Sequence, residues 1–275
     1  MTTLLTQQVA CTSGALDAAL LERVRHETLT VPDGWVTEYG DYQSGGWGTL
    51  SLLNASGVAT DVTITDCEPV ETSVLASMPA TKQLLSGLGF HYMWARIARL
   101  TPGSFLWEHR DYGELQSVER YRLHIPIVTS PSAFLVLAGS AVHLAAGALW
   151  RLTPTFVHGA CNLYGPTRIH LILDCYTSAE LDALIADQQL PDNYVRHLPP
   201  LHGESLQQQL DQAICLARLG YSQAAEQHLL RLFFKHSLPE GRAYDLISDM
   251  YDAIGAPDIA QRWRSRKSIL LGLTA

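Results

Sequence analysis

Between residues 92 and 176 the chain consists almost entirely of short alternating segments, broken by turn chemistry at TPGS, TSPS, LAGS, LTP and YGPT. Period-two alternation puts successive side chains on opposite faces of a strand, and Pro, Gly and Ser end each strand before it can lengthen. Many short strands joined this way close into a sandwich or barrel. Two of them carry charge on one face only. In RYRLHIPI, Arg120, Arg122 and His124 oppose Leu123, Ile125 and Ile127; in RIHLILD, Arg168, His170 and Asp174 oppose Ile169, Leu171 and Leu173. Such a face is either solvated or lines an interior that receives carboxylates, because a buried unpaired guanidinium is costly.

The flanks are different. GWGTLSLLN at 46–54 also alternates, residues 15–27 carry apolar positions at helical spacing, and MPATKQLLSGLG reads as a short helix with proline near its start and glycine after its end. SAELDALIADQQL reads as another helix, followed by the linker-like DNYVRHLPPLHGES. Residues 205–270 read as helices throughout. Gly220 and Gly255, 35 residues apart, break this region into two helix–glycine–helix units, either a plain bundle or a pair of tetratricopeptide-like hairpins. The expected division is a mainly β domain over 1–190, with helices at its N-terminal side, and a helical C-terminal domain over 200–275. The helical region is expected to cover the β domain with apolar positions such as Leu216, Leu229, Leu232 and Phe233.

Chemistry concentrates in the alternating region. His109 and Asp111 are two residues apart, so a strand carrying both would aim them from one face; His158 follows 47 residues after Asp111, and Arg168 ten residues after His158. Two imidazoles and a carboxylate on neighbouring strands form the facial set of non-heme iron(II) sites, which leaves coordination positions open. An isolated His-x-Asp is common by chance in a chain with eleven histidines, and the argument rests on the later histidine and the arginines in strand phase. An arginine beyond the last histidine can hold a carboxylate of a small diacid through its planar fork.

The formal net charge of −8 gives no electrostatic footprint for nucleic acid or an anionic membrane, and neither is expected as a partner. The first 24 residues lack a basic start and a continuous apolar stretch, so no secretion signal is expected. No apolar run is long enough to span a bilayer. Cys11, Cys67, Cys161, Cys175 and Cys215 are scattered and odd in number, which fits free thiols in a reducing, cytoplasmic setting.

The stretch from about Trp47 to Tyr176 resembles the aspartyl/asparaginyl β-hydroxylase superfamily of iron(II)- and 2-oxoglutarate-dependent oxygenases, and within it the bacterial cis-proline (3-)hydroxylases. The likeness is carried by RLTPGSFLWEHRDYGE, YRLHIPI, the Gly147, Trp150 and Leu152 of G-x-x-W-x-L, TFVHGACN and RIHLILD, in matching order and spacing. It implies a double-stranded β-helix (jelly-roll) core with flanking helices and a helical C-terminal region. It also implies Fe(II), 2-oxoglutarate and dioxygen as cofactor and co-substrates, with ascorbate as the reductant in vitro. His109, Asp111 and His158 match the iron ligands, and Arg168 matches the arginine on the far carboxylate of 2-oxoglutarate. Arg122 and His124 match strand residues near the co-substrate carboxylates, and Arg120 and Arg96 fall where basic residues hold the substrate carboxylate. One departure is Ala98, which stands where the animal branch uses a serine on 2-oxoglutarate.

Three readings follow from this resemblance. The first is a hydroxylase of a free amino acid, with L-proline or a related imino acid in front. The second is the same chemistry on a peptide residue or a carrier-protein-tethered amino acid in natural-product biosynthesis, with the helical tail as docking surface. The third is a binding protein without turnover. A homodimer is left open alongside them.

Overall fold

A computed structural model describes residues 2–12, 16–31, 34–40, 42–111 and 118–272. The residues from Tyr112 to Ser117, which end the WEHRDYGE motif, lie outside the described residues, as do Ala15 and the last three positions.

Among the described residues the strands form two antiparallel sheets. The larger has the order β1 (Val9–Cys11), β9 (Trp150–Leu152), β6 (Arg120–Val128), β11 (Arg168–Tyr176), β4 (Tyr92–Leu100), β2 (Trp47–Asn54) and β3 (Val70–Glu71). The smaller has the order β12 (Val195–His197), β8 (Ser140–Val142), β7 (Ala133–Leu137), β10 (His158–Asn162) and β5 (Ser104–His109). Apolar side chains from both sheets meet between them. Trp47, Ala98, Leu100, Trp150, Leu152 and Ile172 of the larger pack with Leu106, Leu135, Leu137, Val142 and Ala160 of the smaller. Two facing sheets with an interior of this kind are the double-stranded β-helix.

The outer faces are also covered. Ala95, Ile97, Leu123, Ile125, Leu171 and Leu173 of the larger sheet pack on a helical layer. That layer comprises α2 (Ala18–Leu29), α3 (Ser73–Ala76), α4 (Pro79–Leu88) and α5 (Ala179–Ala186). The helix expected over 15–27 starts at Ala18 because the Asp17 carboxylate accepts the Leu20 N–H and caps it. The expected proline and glycine do bound α4, where Gly89 adopts φ 67° as the left-handed cap.

The C-terminal region forms α6 (Gly203–Arg218), α7 (Ser222–Leu230), α8 (Leu232–Lys235), α9 (Arg242–Ala253) and α10 (Pro257–Leu270). Gly220 and Gly255, at φ 91° and 77°, turn the α6–α7 and α9–α10 hairpins in a conformation costly for other residues. Leu229, Leu232 and Phe233 are buried, and Leu216 packs beside them, in one cluster with Phe105, Trp107, Phe134 and Val136 from the outer face of the smaller sheet. The helices and this sheet therefore share a core. β6 and β11 of the larger sheet lie between α2–α5 on one face and the smaller sheet on the other, so their cationic rows face the space between the sheets rather than solvent. No helix among the described residues is long and apolar enough to cross a membrane. All five cysteines are free thiols, three of them buried.

Candidate metal and anion site

β5 and β10 are antiparallel neighbours with His158 opposite His109, so the two imidazoles meet at one end of the smaller sheet, their centroids 4.4 Å apart. Asp111 departs from the expected strand placement. β5 ends at His109, and the next N–H groups leave the ladder: Arg110 N–H donates to Leu270 O at 2.8 Å and Asp111 N–H to Pro154 O at 3.0 Å. The turn still returns the carboxylate to the histidines. His109 Nε2 is 3.2 Å from Asp111 Oδ1, and His158 Nε2 is 3.8 Å from Oδ2.

The tautomers follow from the partners. His109 Nδ1 lies 2.6 Å from Trp107 O, and His158 Nδ1 lies 2.9 Å from Phe156 O. A carbonyl only accepts, so Nδ1 carries the proton in each ring and Nε2 keeps its lone pair. Both bare nitrogens and the Asp111 carboxylate then converge, with one ligand atom from each residue within 4.8 Å of the others. Burial, and then the neighbouring His109, pull His158 down to about 4, so it is neutral at physiological pH as a ligand must be. Burial alone would raise Asp111, but the Arg122 guanidinium leads the neighbouring groups that hold this carboxyl well below the usual range.

Arg122 links this set to a second carboxylate. Its Nη1 pairs with Asp111, while Nε and Nη2 donate to Asp174 Oδ1 at 3.0 and 2.9 Å. Arg96 Nη1 reaches Asp174 Oδ2 at 3.4 Å with its guanidinium 3.6 Å over the Trp94 ring, and Arg120 Nε lies 3.6 Å from Oδ1. Arg96 and Arg120, read from the sequence as partners of a substrate carboxylate, thus gather with Arg122 around Asp174, which is fully buried.

Arg168 is different. It is buried, its Nε has no hydrogen-bond partner, and it makes no ion pair among the described residues. Burial lowers it to about 10, which leaves it charged at neutral pH. It lines the same cavity as His109, Asp111, His158, Arg122 and His124, together with Arg96, Tyr39, Trp47, Leu135 and Ile172, in an empty volume of about 400 Å³ counting the mouth. His124 Nε2 is likewise buried without a partner. Ala98, at the expected serine position, offers only a methyl group and sits in the apolar interior beside Ile172.

Burial, and then Arg122 and Arg168, push His124 well below its ordinary value; burial and Arg168 do the same to His170. The unfolded chain takes up these protons near pH 6.5, the folded chain only well below it. Stability is therefore expected to fall as pH drops below 6.5, by up to about 1.4 kcal/mol per pH unit for each histidine. Urea midpoints measured between pH 7 and pH 5 check this, and a flat profile contradicts it.

The aspartyl/asparaginyl β-hydroxylase family matches residues 20–178, more than half of the chain. The chain belongs to that family. It is 30% identical to L-proline cis-3-hydroxylases 1 and 2 of a Streptomyces species, over 166 and 144 residues. Those alignments cover 58% and 50% of this chain and 57% and 49% of theirs, so the chain spans about half the length of these two relatives. L-proline cis-4-hydroxylase of Rhizobium meliloti (strain 1021) is 22% identical over 255 residues, 89% of each chain.

Within the family frame, several residues of the site had no role assigned from sequence. Asp174 was visible in strand phase with Arg168, but periodicity gives a face and not a partner. Tyr39 and Trp47 reach the cavity from the glycine-rich EYGDYQSGGW segment and the start of β2. Tyr42, whose ring centroid lies 4.5 Å from that of His109, comes from the same irregular segment. That segment has no period to read.

Proposed function

We propose that this chain is an iron(II)- and 2-oxoglutarate-dependent hydroxylase of a free amino acid, with L-proline or a related imino acid as the first substrate to test. One observation carries the reading: two bare imidazole nitrogens and a carboxylate converge in a cavity whose wall also holds a buried arginine without an ion pair among the described residues. This donor set fits iron(II), and the guanidinium fits a dicarboxylate. The family membership and the proline hydroxylase relatives support the same chemistry.

Iron(II), when bound, supplies the redox chemistry that couples 2-oxoglutarate decarboxylation by dioxygen to hydroxylation of a C–H bond. The chain supplies the rest. His109 and His158 offer Nε2 and keep Nδ1 anchored on their own backbone, which fixes both rings. Arg122 holds Asp111 ionised and oriented. Arg168 takes the far carboxylate of 2-oxoglutarate, with Arg122 and His124 forming the wall near the co-substrate carboxylates. Arg120 and Arg96 orient the substrate carboxylate from the Asp174 side. Trp47, Leu135 and Ile172 line the cavity with apolar surface that excludes water.

The direct test is incubation with iron(II), ascorbate, 2-oxoglutarate and a panel of free amino acids, read by mass spectrometry. A gain of one oxygen on proline or a related imino acid is expected; no oxygenated amino acid anywhere in the panel overturns the free-substrate reading. Arg168→Lys keeps the charge but loses the planar fork. Its apparent affinity for 2-oxoglutarate is expected to fall roughly tenfold or more, about 1.5–3 kcal/mol. An unchanged concentration dependence assigns the anion site elsewhere.

A further inference from the structure

The residues beside the three candidate ligands are held from outside the β-helix, and by the C-terminal helices. Glu108 and Arg110 flank His109, and Arg110 also precedes Asp111. The Tyr244 hydroxyl of α9 donates to Glu108 O at 2.6 Å, and Gly241 N–H donates to the Glu108 carboxylate at 2.7 Å. Arg110 N–H and Nε donate to the last carbonyls of the helical region, Leu270 O and Leu271 O, both at 2.8 Å. The Arg110 fork finishes on Glu240 at 2.8 Å and on Thr155 O at 2.6 Å, three residues before His158. The other strand is braced as well. A Cβ built on Gly159, directly after His158, would lie 2.8 Å from a Phe233 ring carbon and 3.1 Å from one of Phe234.

We propose that the C-terminal helices are a positioning element for the metal ligands, acting through Arg110 and Tyr244. The inference rests on reading His109, Asp111 and His158 as metal ligands and adds what sets their geometry. The physical need is specific. β5 stops at His109, so no sheet ladder fixes the backbone between the first two ligands. Of the N–H groups there, that of Arg110 is held by Leu270 O of the helical region and that of Asp111 by Pro154 O, while Glu108, just before His109, is held by Gly241 and Tyr244. A ligand pair on a turn held only by water would sample many separations, whereas bonds to rigid helix ends limit it to one. Arg110 and Tyr244 do not themselves reach the cavity, and their effect passes through His109 and Asp111.

Cobalt(II) alone serves as the probe, since its visible absorption reports ligand geometry without turnover. Arg110→Ala is expected to weaken cobalt affinity tenfold or more and to shift the bound cobalt spectrum; Tyr244→Phe, which removes one hydroxyl, is expected to weaken it at least threefold. Leu229→Ala is the control. It opens a cavity in the same helical core without touching Glu108 or Arg110, and should lower the thermal midpoint while leaving cobalt affinity within twofold of wild type. If Arg110→Ala does not fold, Tyr244→Phe carries the test. Unchanged affinity in the folded variants overturns the positioning role, as does an equal loss in Leu229→Ala, which would tie metal binding to general stability. A wild-type chain that binds no cobalt overturns the metal reading itself, and the positioning role falls with it.

Discussion

His158→Ala is expected to abolish succinate formation from 2-oxoglutarate while leaving a folded protein. The same is expected of His109→Ala. Each change removes one of three donors, a greater loss than the roughly 10–100-fold effect of removing an outer partner of a ligand. The fold is expected to survive because each ring faces a cavity already present, so truncation enlarges a space rather than opening a new one in a packed core. The metal-free unfolding free energy should change by less than about 2 kcal/mol. Succinate assays and thermal unfolding of the metal-free variants check both halves. Undiminished turnover in either variant contradicts the ligand assignment. Turnover lost together with the folded state would make the histidines structural.

Asp174→Asn is expected to produce the largest loss of stability of any single change at the site. The carboxylate is fully buried and accepts hydrogen bonds from Arg122 and Arg96, with Arg120 Nε at 3.6 Å. A buried ion pair need not be a net source of stability, but removing one member leaves the other charge desolvated, at a cost of about 3–5 kcal/mol. Asparagine keeps the volume and removes the charge, which isolates the electrostatic part. At roughly 2–4 °C per kcal/mol for a chain of this size class, the thermal midpoint should fall by about 10 °C. A midpoint within 2 °C of wild type would mean that these arginines are compensated elsewhere.

What the sequence made legible is what strand and helix periods encode. Arg122 and His124 could be placed on one face of their strand, and Arg168 on one face of its own, because both segments alternate; that these faces are interior depends on the layers packed on either side. The α6–α7 and α9–α10 hairpins were marked by their glycines. Asp111 was misplaced onto the strand because spacing cannot show where a ladder ends; that depends on Leu270 and Pro154 capturing the next N–H groups. Asp174 lay in plain view in RIHLILD, yet its partners come from β4 and β6, and only the folded sheet brings those together. The contacts of Glu108 with Gly241 and Tyr244 cross more than 130 positions and leave no local pattern at all.

The most direct test of the central claim is turnover under ¹⁸O₂ with L-proline and the imino acids related to it. An iron(II)- and 2-oxoglutarate-dependent hydroxylase predicts one ¹⁸O atom in each succinate formed, together with an amino acid heavier by one oxygen, the two products in equal amounts. Succinate without label, or an oxygenated product formed when 2-oxoglutarate is omitted, would contradict the account.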